Sequence, residues 1–333
     1  MKLTNIIGFA AALLCCAPFA GAQEEGGASD KLRAYVQAGK MKKPAIQVIE
    51  GAGGKNQFQY IPRGAVNQKM QMDVKSCALF MLMTPEDLVD AIGEYRAGEL
   101  DAARKELAKV KQKYAHYLGL PNNPAAIASV YELKTAVRQK DWAAVPGLAD
   151  GLPKDDPSLN DFDLTVAKVA PVVAAAANGG DAAPVEEMLK NKDLLKTVSS
   201  EVYGWLCYAH ACTLEAKVKG GITADNAKTA GEAIDRFCQC VVSHHGVSPE
   251  LPLDSLNRAF ALLWNMPGVQ DYAKSVKAPL DAKSWGGAPV NFRDAVAMAQ
   301  LVKTVYDPET KDETIAKAAT YYYNAAKDRQ KDN

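Results

Sequence analysis

The sequence predicts a mainly α-helical protein, an α-solenoid of helical hairpins preceded by a small antiparallel β unit. Three observations predict it. Ala, Lys, Leu and Val dominate the 333 residues, and strand-forming residues are sparse after position 83. Turn signals at Gly98, Lys140, Gly180, Gly220, Gly268 and Pro308 recur about every 40 residues, within the range of known two-helix repeats. Between Pro44 and Met83 the apolar pattern instead runs in short, strand-like segments. An irregular bundle of the same hairpins is the alternative to regular stacking.

Met1 to Ala22 reads as a secretory signal peptide. Lys2 supplies the positive end, Ile6 to Phe19 is apolar but short, and Ala20-Gly21-Ala22 offers small residues for cleavage. Leu13 and Leu14 precede Cys15 where a lipoprotein site needs a small residue, which argues against lipidation at Cys15 or Cys16. The mature chain is therefore expected to start near Gln23 in a bacterial periplasm or outside the cell. No later stretch is apolar enough to span a membrane. The charge balance is near zero, so no long-range attraction draws the chain to nucleic acid or anionic lipid.

Residues 23–43 read as a flexible tether and a short helix, capped by Ser29 and running through Val36. Residues 44–83 read as the β unit. Ile46 to Ile49 and Phe58 to Ile61 form two strands joined through Gly51-Ala52-Gly53-Gly54, Met70 to Val74 alternates, and Cys77 to Met83 is a continuous apolar run. Such a unit is marginal alone and needs the first helices to pack on. Lys55 is not followed by Ser or Thr, so the glycine run is a turn and not a phosphate loop.

Residues 84–331 read as the helical domain, about six hairpins. Thr84-Pro85-Glu86-Asp87 is a helix start, with Thr84 as cap and Asp87 reaching back to it. Leu88, Ile92 and Tyr95 carry the apolar face, and Gly98 ends the helix. Leu100, Ala103, Leu107, Val110 and Tyr114 form the returning stripe, backed by Arg104, Lys105, Lys109, Lys111 and Lys113 as a solvated face. Later pairs run from Pro124 to Leu148, Leu164 to Leu189, Glu201 to Val241, Leu253 to Val276 and Phe292 to Lys327.

The pattern Gly98-x-Leu100-x-x-Ala103-x-x-x-Leu107-x-x-Val110 resembles the turn and second helix of a tetratricopeptide repeat. The aromatic-Leu-Gly signature of that family's first helix is absent here. The resemblance implies an exported, non-enzymatic scaffold that binds an envelope protein or peptide along a concave helical surface, with no cofactor. The alternatives are a helical-toroid carbohydrate-active enzyme and a small-ligand binding protein. An aromatic-lined cleft with two facing carboxylates would mark the enzyme; a groove lined by the first helix of each pair would mark the scaffold.

One constellation carries chemistry. Cys207 and His210 share a helix face, as do Cys240 and His244, and a hairpin turning near 220–224 brings the two pairs together. The spacing admits a two-Cys, two-His zinc site, though it matches no known zinc motif. It also admits a disulfide of Cys207 with Cys238 or Cys240, or of Cys212 with Cys238. Cys212 and Cys238 fall on apolar stripes, where buried free thiols acting as small hydrophobes are the simplest reading. Nucleophile motifs are missing, and Cys207 or Cys212 with His244 would be a helix-interior pair of the inert kind. Asp155-Asp156 and Glu186-Glu187 invite a glycosidase reading, but a polar loop and a helix start explain them. His116 is expected in solvent. Tyr321-Tyr322-Tyr323 spreads aromatics around the last helix, to cap the array or to make a contact.

Overall fold

The computed structural model describes residues 31–39, 41–62, 68–244 and 248–323. The expected signal peptide and tether, Ser29, His245 and the chain beyond Tyr323 lie outside the described residues. Within them, a five-stranded antiparallel sheet is followed by 14 helices. No described helix is long and apolar enough to cross a membrane.

The sheet comprises β1 (Leu32–Ala38), β2 (Ala45–Gly54), β3 (Gln57–Tyr60), β4 (Met70–Asp73) and β5 (Cys77–Leu82), in the order β4-β3-β2-β1-β5. The expected short helix through Val36 is instead β1, in the sheet's interior. Leu32, Ala34 and Val36 are buried and alternate with Arg33, Tyr35 and Gln37, a period of two that the helical reading overlooked. Tyr35 pairs with Ile46 on β2 and with Met81 on β5. The glycine run is not the turn either. β2 continues through Gly54 with two register irregularities against β3, and Asn56, at φ 60°, makes the turn. Gly51 is needed where β2 passes the next helical turn, since a Cβ there would come within 3.2 Å of the His116 carbonyl oxygen.

The founding hairpin is α1 (Glu86–Ala97) and α2 (Leu100–Lys113), joined at Gly98 in the left-handed conformation. The cap differs from expectation. Pro85 stands at the cap position with no side-chain hydrogen bond. Asp87 turns away from Thr84 to accept from Lys113 Nζ at 2.9 Å and from the Tyr114 hydroxyl. The basic face of α2 is also less solvated than expected. Lys111 pairs with buried Glu132 on the next helix, and Arg104 pairs with Asp141 at 2.6 Å.

Tyr117, in a 3₁₀ turn after α2, ties this hairpin to the sheet. Its hydroxyl donates to the Ile49 carbonyl and accepts from the Leu32 N–H, both at 2.8 Å. The sheet, α1, α2 and the start of α3 (Pro124–Arg138) share one core of Leu32, Ile49, Phe58, Leu88, Leu107 and Tyr117.

The body continues with α4 (Val145–Asp150), α5 (Asp161–Ala177), α6 (Ala183–Lys190), α7 (Lys192–Thr197), α8 (Ser200–Lys217), α9 (Ala227–Ser243), α10 (Glu250–Trp264), α11 (Val269–Ser275), α12 (Ala282–Gly287), α13 (Val290–Leu301) and α14 (Glu313–Ala319). Left-handed residues stand at Gly98, Lys140, Gly179, Gly221 and Gly268, each within one residue of a turn read from sequence. α7 and α12 are extra short helices that the sequence reading did not contain. α14 is shorter than the helix expected from Thr310 to Lys327 and ends at Ala319.

A second core fills the body, built of Ala, Val, Leu and Cys around Trp205, Tyr208, Phe237 and Phe292. α8 packs on α9, α9 on α10, and α10 on α13. Contacts also reach far along the chain: α3 and the turn after it are ion-paired to α10 through Arg138–Glu250 and Lys140–Asp254, at 2.7 Å each. Strict nearest-neighbour stacking does not include such closures.

Candidate functional site

A cleft of about 710 Å³ opens between the end of α5 and the C-terminal halves of α8 and α10. In the sequence these are expected as the first helices of three successive pairs. Ala177, Ala216, Ala261 and Leu262 give it apolar walls, while Arg258, Glu215, Lys219 and Asn265 supply polar groups. Small residues on α5 and α8 leave the space open, because no bulky side chain is there to fill it.

Arg258 is the electrostatic centre of this wall. Its Nη1 donates to Glu215 Oε2 at 2.6 Å and to Cys212 Sγ at 3.4 Å, and its Nε reaches Asp254 Oδ2 at 2.9 Å. The guanidinium also lies over the rings of Tyr208 and Phe237, at 5.7 and 6.0 Å from their centroids. Asp254 accepts in addition from Lys140 and from the Tyr208 hydroxyl. Burial works against the Asp254 carboxylate, but those hydrogen bonds and the Arg258 charge outweigh it, and its pKa falls below the usual range.

The charged line continues inward. Glu250, Asp254 and Arg258 stand four residues apart and share one face of α10. Arg138, 1% exposed, grips Glu250 through Nε and Nη2, donates from Nη1 to the Tyr95 carbonyl, and lies 4.5 Å over the Tyr95 ring. The Tyr95 hydroxyl donates to Glu201 at 2.7 Å, and Lys134 donates to the other Glu201 oxygen. Burial, then the neighbouring Glu201 charge, push the Tyr95 phenol far above its ordinary value. A seam of alternating charge thus runs from α1 and α3 through α8 and α10 to the cleft.

The four side chains considered for zinc do not converge. Cys207 Sγ faces Gln239 on α9, while His210 faces Glu186 on α6 with Nε2 at 3.7 Å. Cys240 and His244 do meet, with Sγ 3.7 Å from Nδ1, but the His244 ring packs against Gly204. Among the described residues, no group of three or more His, Cys, Asp or Glu side chains is placed to hold a metal ion. Cys207, Cys212, Cys238 and Cys240 are free thiols. Burial raises the pKa of each, to about 11 for Cys212 and Cys238 and about 12 for Cys240. Thiols so held are protonated at neutral pH and poor nucleophiles.

The other motifs resolve locally. Asp156 is a buried loop staple, accepting from the Gly119 N–H, Asn123 Nδ2 and the Ser158 N–H. Glu187 is exposed on α6. His116 is exposed and lies against the Tyr117 ring. Tyr321 is buried, donating to the Ala273 carbonyl, while Tyr322 meets Trp285 edge-on.

The chain matches no family model, no curated protein and no solved structure.

Sequence reasoning missed Arg258, Asp254, Glu250 and Arg138. A signal was present: charges spaced by four on helices that are otherwise apolar, which solvated faces do not require.

Proposed function

We propose that this chain is an exported, non-enzymatic scaffold that seats a peptide or protein segment of the cell envelope in the cleft along α5, α8 and α10. The observation that carries the reading is the composition of that cleft. Its walls come from the first helices of consecutive hairpins, the arrangement expected of a helical-repeat binding surface. No aromatic side chain lines it, and Glu215 has no second carboxylate facing it within the lining. A glycosidase needs two such groups about 5–10 Å apart. The buried, high-pKa thiols nearby supply no nucleophile.

The architecture under this reading is a short, tetratricopeptide-like array. The evenly placed left-handed turns and the packing of α1 on α2 and α8 on α9 support it. The α3–α10 ion pairs depart from an open solenoid and draw the first helices together, so binding is confined to the end of the groove that the charged seam leaves open.

The test is site-specific photo-crosslinking in the native envelope. A crosslinker at Ala261, exposed in the cleft wall, is expected to capture a discrete protein partner, and one at exposed Val242 on α9 is not. Glycan turnover by the pure protein, with no adduct at Ala261, would overturn the proposal.

A further inference from the structure

We propose that the outer face of the sheet is a docking surface for an anionic lipid bilayer. The inference rests on the sheet and is independent of the cleft.

The register fixes which side chains share that face. Tyr35 stands opposite Ile46 on β2 and Met81 on β5, Arg33 opposite Val48, and Gln37 opposite Leu79. Their neighbours Leu32, Ala34, Val36 and Ile49 turn the other way, into the core. Ile46, Val48, Leu79, Met81 and Met83 are thus one aliphatic group on the outside, each between 37 and 53% exposed. None of the five packs into either core. The Phe58 and Phe80 rings, from β3 and β5, meet at 4.8 Å on the inner side although β2 and β1 stand between those strands. The sheet therefore curls around its core, and the aliphatic face is its convex outside.

The near-zero charge of the whole chain conceals a division. Residues 31–83 hold nine Lys and Arg against two Asp and Glu, a net +7, whereas residues 84–333 hold 29 against 34, a net −5. Screening limits each exposed charge to about 10 Å at 0.1 M salt, so a surface touching the sheet meets the local charge and not the whole-chain sum. The basic groups stand at both ends of the aliphatic face. Lys42 and Lys43 lie in the β1–β2 turn, and Lys75 lies just before β5, whose Cys77 pairs with Ala38 at the same end. Lys31, Arg33 and Lys69 lie towards the other end. All six are exposed. Glu50 is the only Asp or Glu in β1, β2 and β5, and its side chain, 8% exposed, is held by Lys31 at 2.8 Å and Lys69 at 3.8 Å.

An aliphatic centre between two basic ends matches a bilayer surface. Anionic headgroups take Lys and Arg, while aliphatic side chains enter the boundary of the acyl chains. Single-stranded nucleic acid calls for aromatic stacking platforms, and Tyr35 is the one ring on this face. Two convex faces of this chain would touch over too little area for a stable dimer.

Co-sedimentation of the purified protein with mixed phosphatidylglycerol and phosphatidylcholine vesicles, compared with phosphatidylcholine alone, tests this. Binding to the anionic vesicles is expected, about tenfold or more weaker on phosphatidylcholine and in about 0.5 M salt. Ile46→Ser with Met81→Ser leaves the charge unchanged and should weaken binding about tenfold, and Lys42→Gln with Lys43→Gln should do the same. Circular dichroism and melting temperature should stay unchanged in both, because all four residues are exposed. Phe162→Ser, which removes an exposed apolar side chain on α5 away from the sheet, should leave binding as it is. Absence of binding to anionic vesicles would overturn the proposal, and so would binding indifferent to Ile46→Ser with Met81→Ser. A dimer or an oligonucleotide complex that this pair of substitutions dissolves, in place of vesicle binding, would also overturn it by assigning the face to another occupant.

Discussion

The sheet end and the helical body close their cores differently. At the sheet end, large apolar side chains from both layers meet, and the tie that joins the helical hairpin to the strands is uncharged: one Tyr117 hydroxyl satisfies two strands at once. In the body, small residues dominate the core, and the helices most distant in sequence are stitched by buried charge, Arg138 to Glu250 and Lys134 to Glu201. A sheet offers a broad apolar face, so neutral hydrogen bonds suffice to pair its leftover backbone groups. A helix offers only a stripe, and α3 must find α10 across 112 residues of chain. Ion pairs there give position more than net stability, because desolvation offsets much of the attraction. Tyr95 marks the border: its ring belongs to the sheet-end core, and its hydroxyl and carbonyl join the charged seam.

The largest expected effect comes from cutting that seam. Arg138→Ala leaves Glu250 and the Tyr95 carbonyl without their buried donor, and should lower unfolding free energy by about 3 kcal/mol or more. Urea denaturation measures it. Arg138→Met combined with Glu250→Leu should lose less than Arg138→Ala. If the double variant loses as much or more, the pair contributes net stability and the contrast drawn between the regions fails.

Next is the packing of α8 against the end of α9. A Cβ at Gly204 would overlap the His244 ring, so Gly204→Ala should destabilise by about 1–3 kcal/mol. His244→Ala in the same chain should recover part of that loss. No coupling between the two substitutions would show that the helices separate freely there.

At the sheet end, Tyr117→Phe keeps the ring and removes the hydroxyl, leaving the Leu32 N–H and Ile49 carbonyl unpaired. About 1–3 kcal/mol is expected. Amide exchange sharpens the comparison: it should accelerate in β1 and β2 while α8 and α9 stay protected. Uniform acceleration would mean that the two cores unfold as one unit.

Turns and stripes were legible in the sequence because each depends on neighbours a few residues away. Gly98, Lys140 and Gly268 declare themselves by the chain reversal they permit. The strand identity of Leu32–Ala38 was not legible, because a seven-residue segment shows little periodicity until β2 and β5 flank it. The seam was half legible, since its spacing by four stood in the sequence but its partners did not. Glu250 and Asp254 look like an exposed helix start until the fold brings Arg138 and Lys140 to them. The cysteine cluster shows the limit of a shared helix face, which puts Cys207 and His210 together on paper while their side chains reach different neighbours.

The smallest expected effect is a pH dependence confined to the body. His244 is 1% exposed, its Nε2 has no partner among the described residues, and its Nδ1 lies 3.1 Å from the Cys240 carbonyl. Burial depresses its pKa, opposed by that carbonyl and by Glu201 and Glu250, while the Arg138 charge adds to the depression. His210 is shifted the same way, again chiefly by burial. Above about pH 6.5 both rings are neutral whether the chain is folded or not, and neither affects stability. Below it the unfolded chain takes up protons that the folded chain refuses, so stability must fall as pH drops from about 6.5 towards the depressed folded values. Urea midpoints measured from pH 7.5 down to 5 should show this slope, and His244→Asn should flatten it. A slope that survives in His244→Asn and His210→Asn together would mean that other groups produce it, and no slope in the unsubstituted chain would mean that the rings are already charged inside the fold, which a buried Nε2 without a partner among the described residues does not allow.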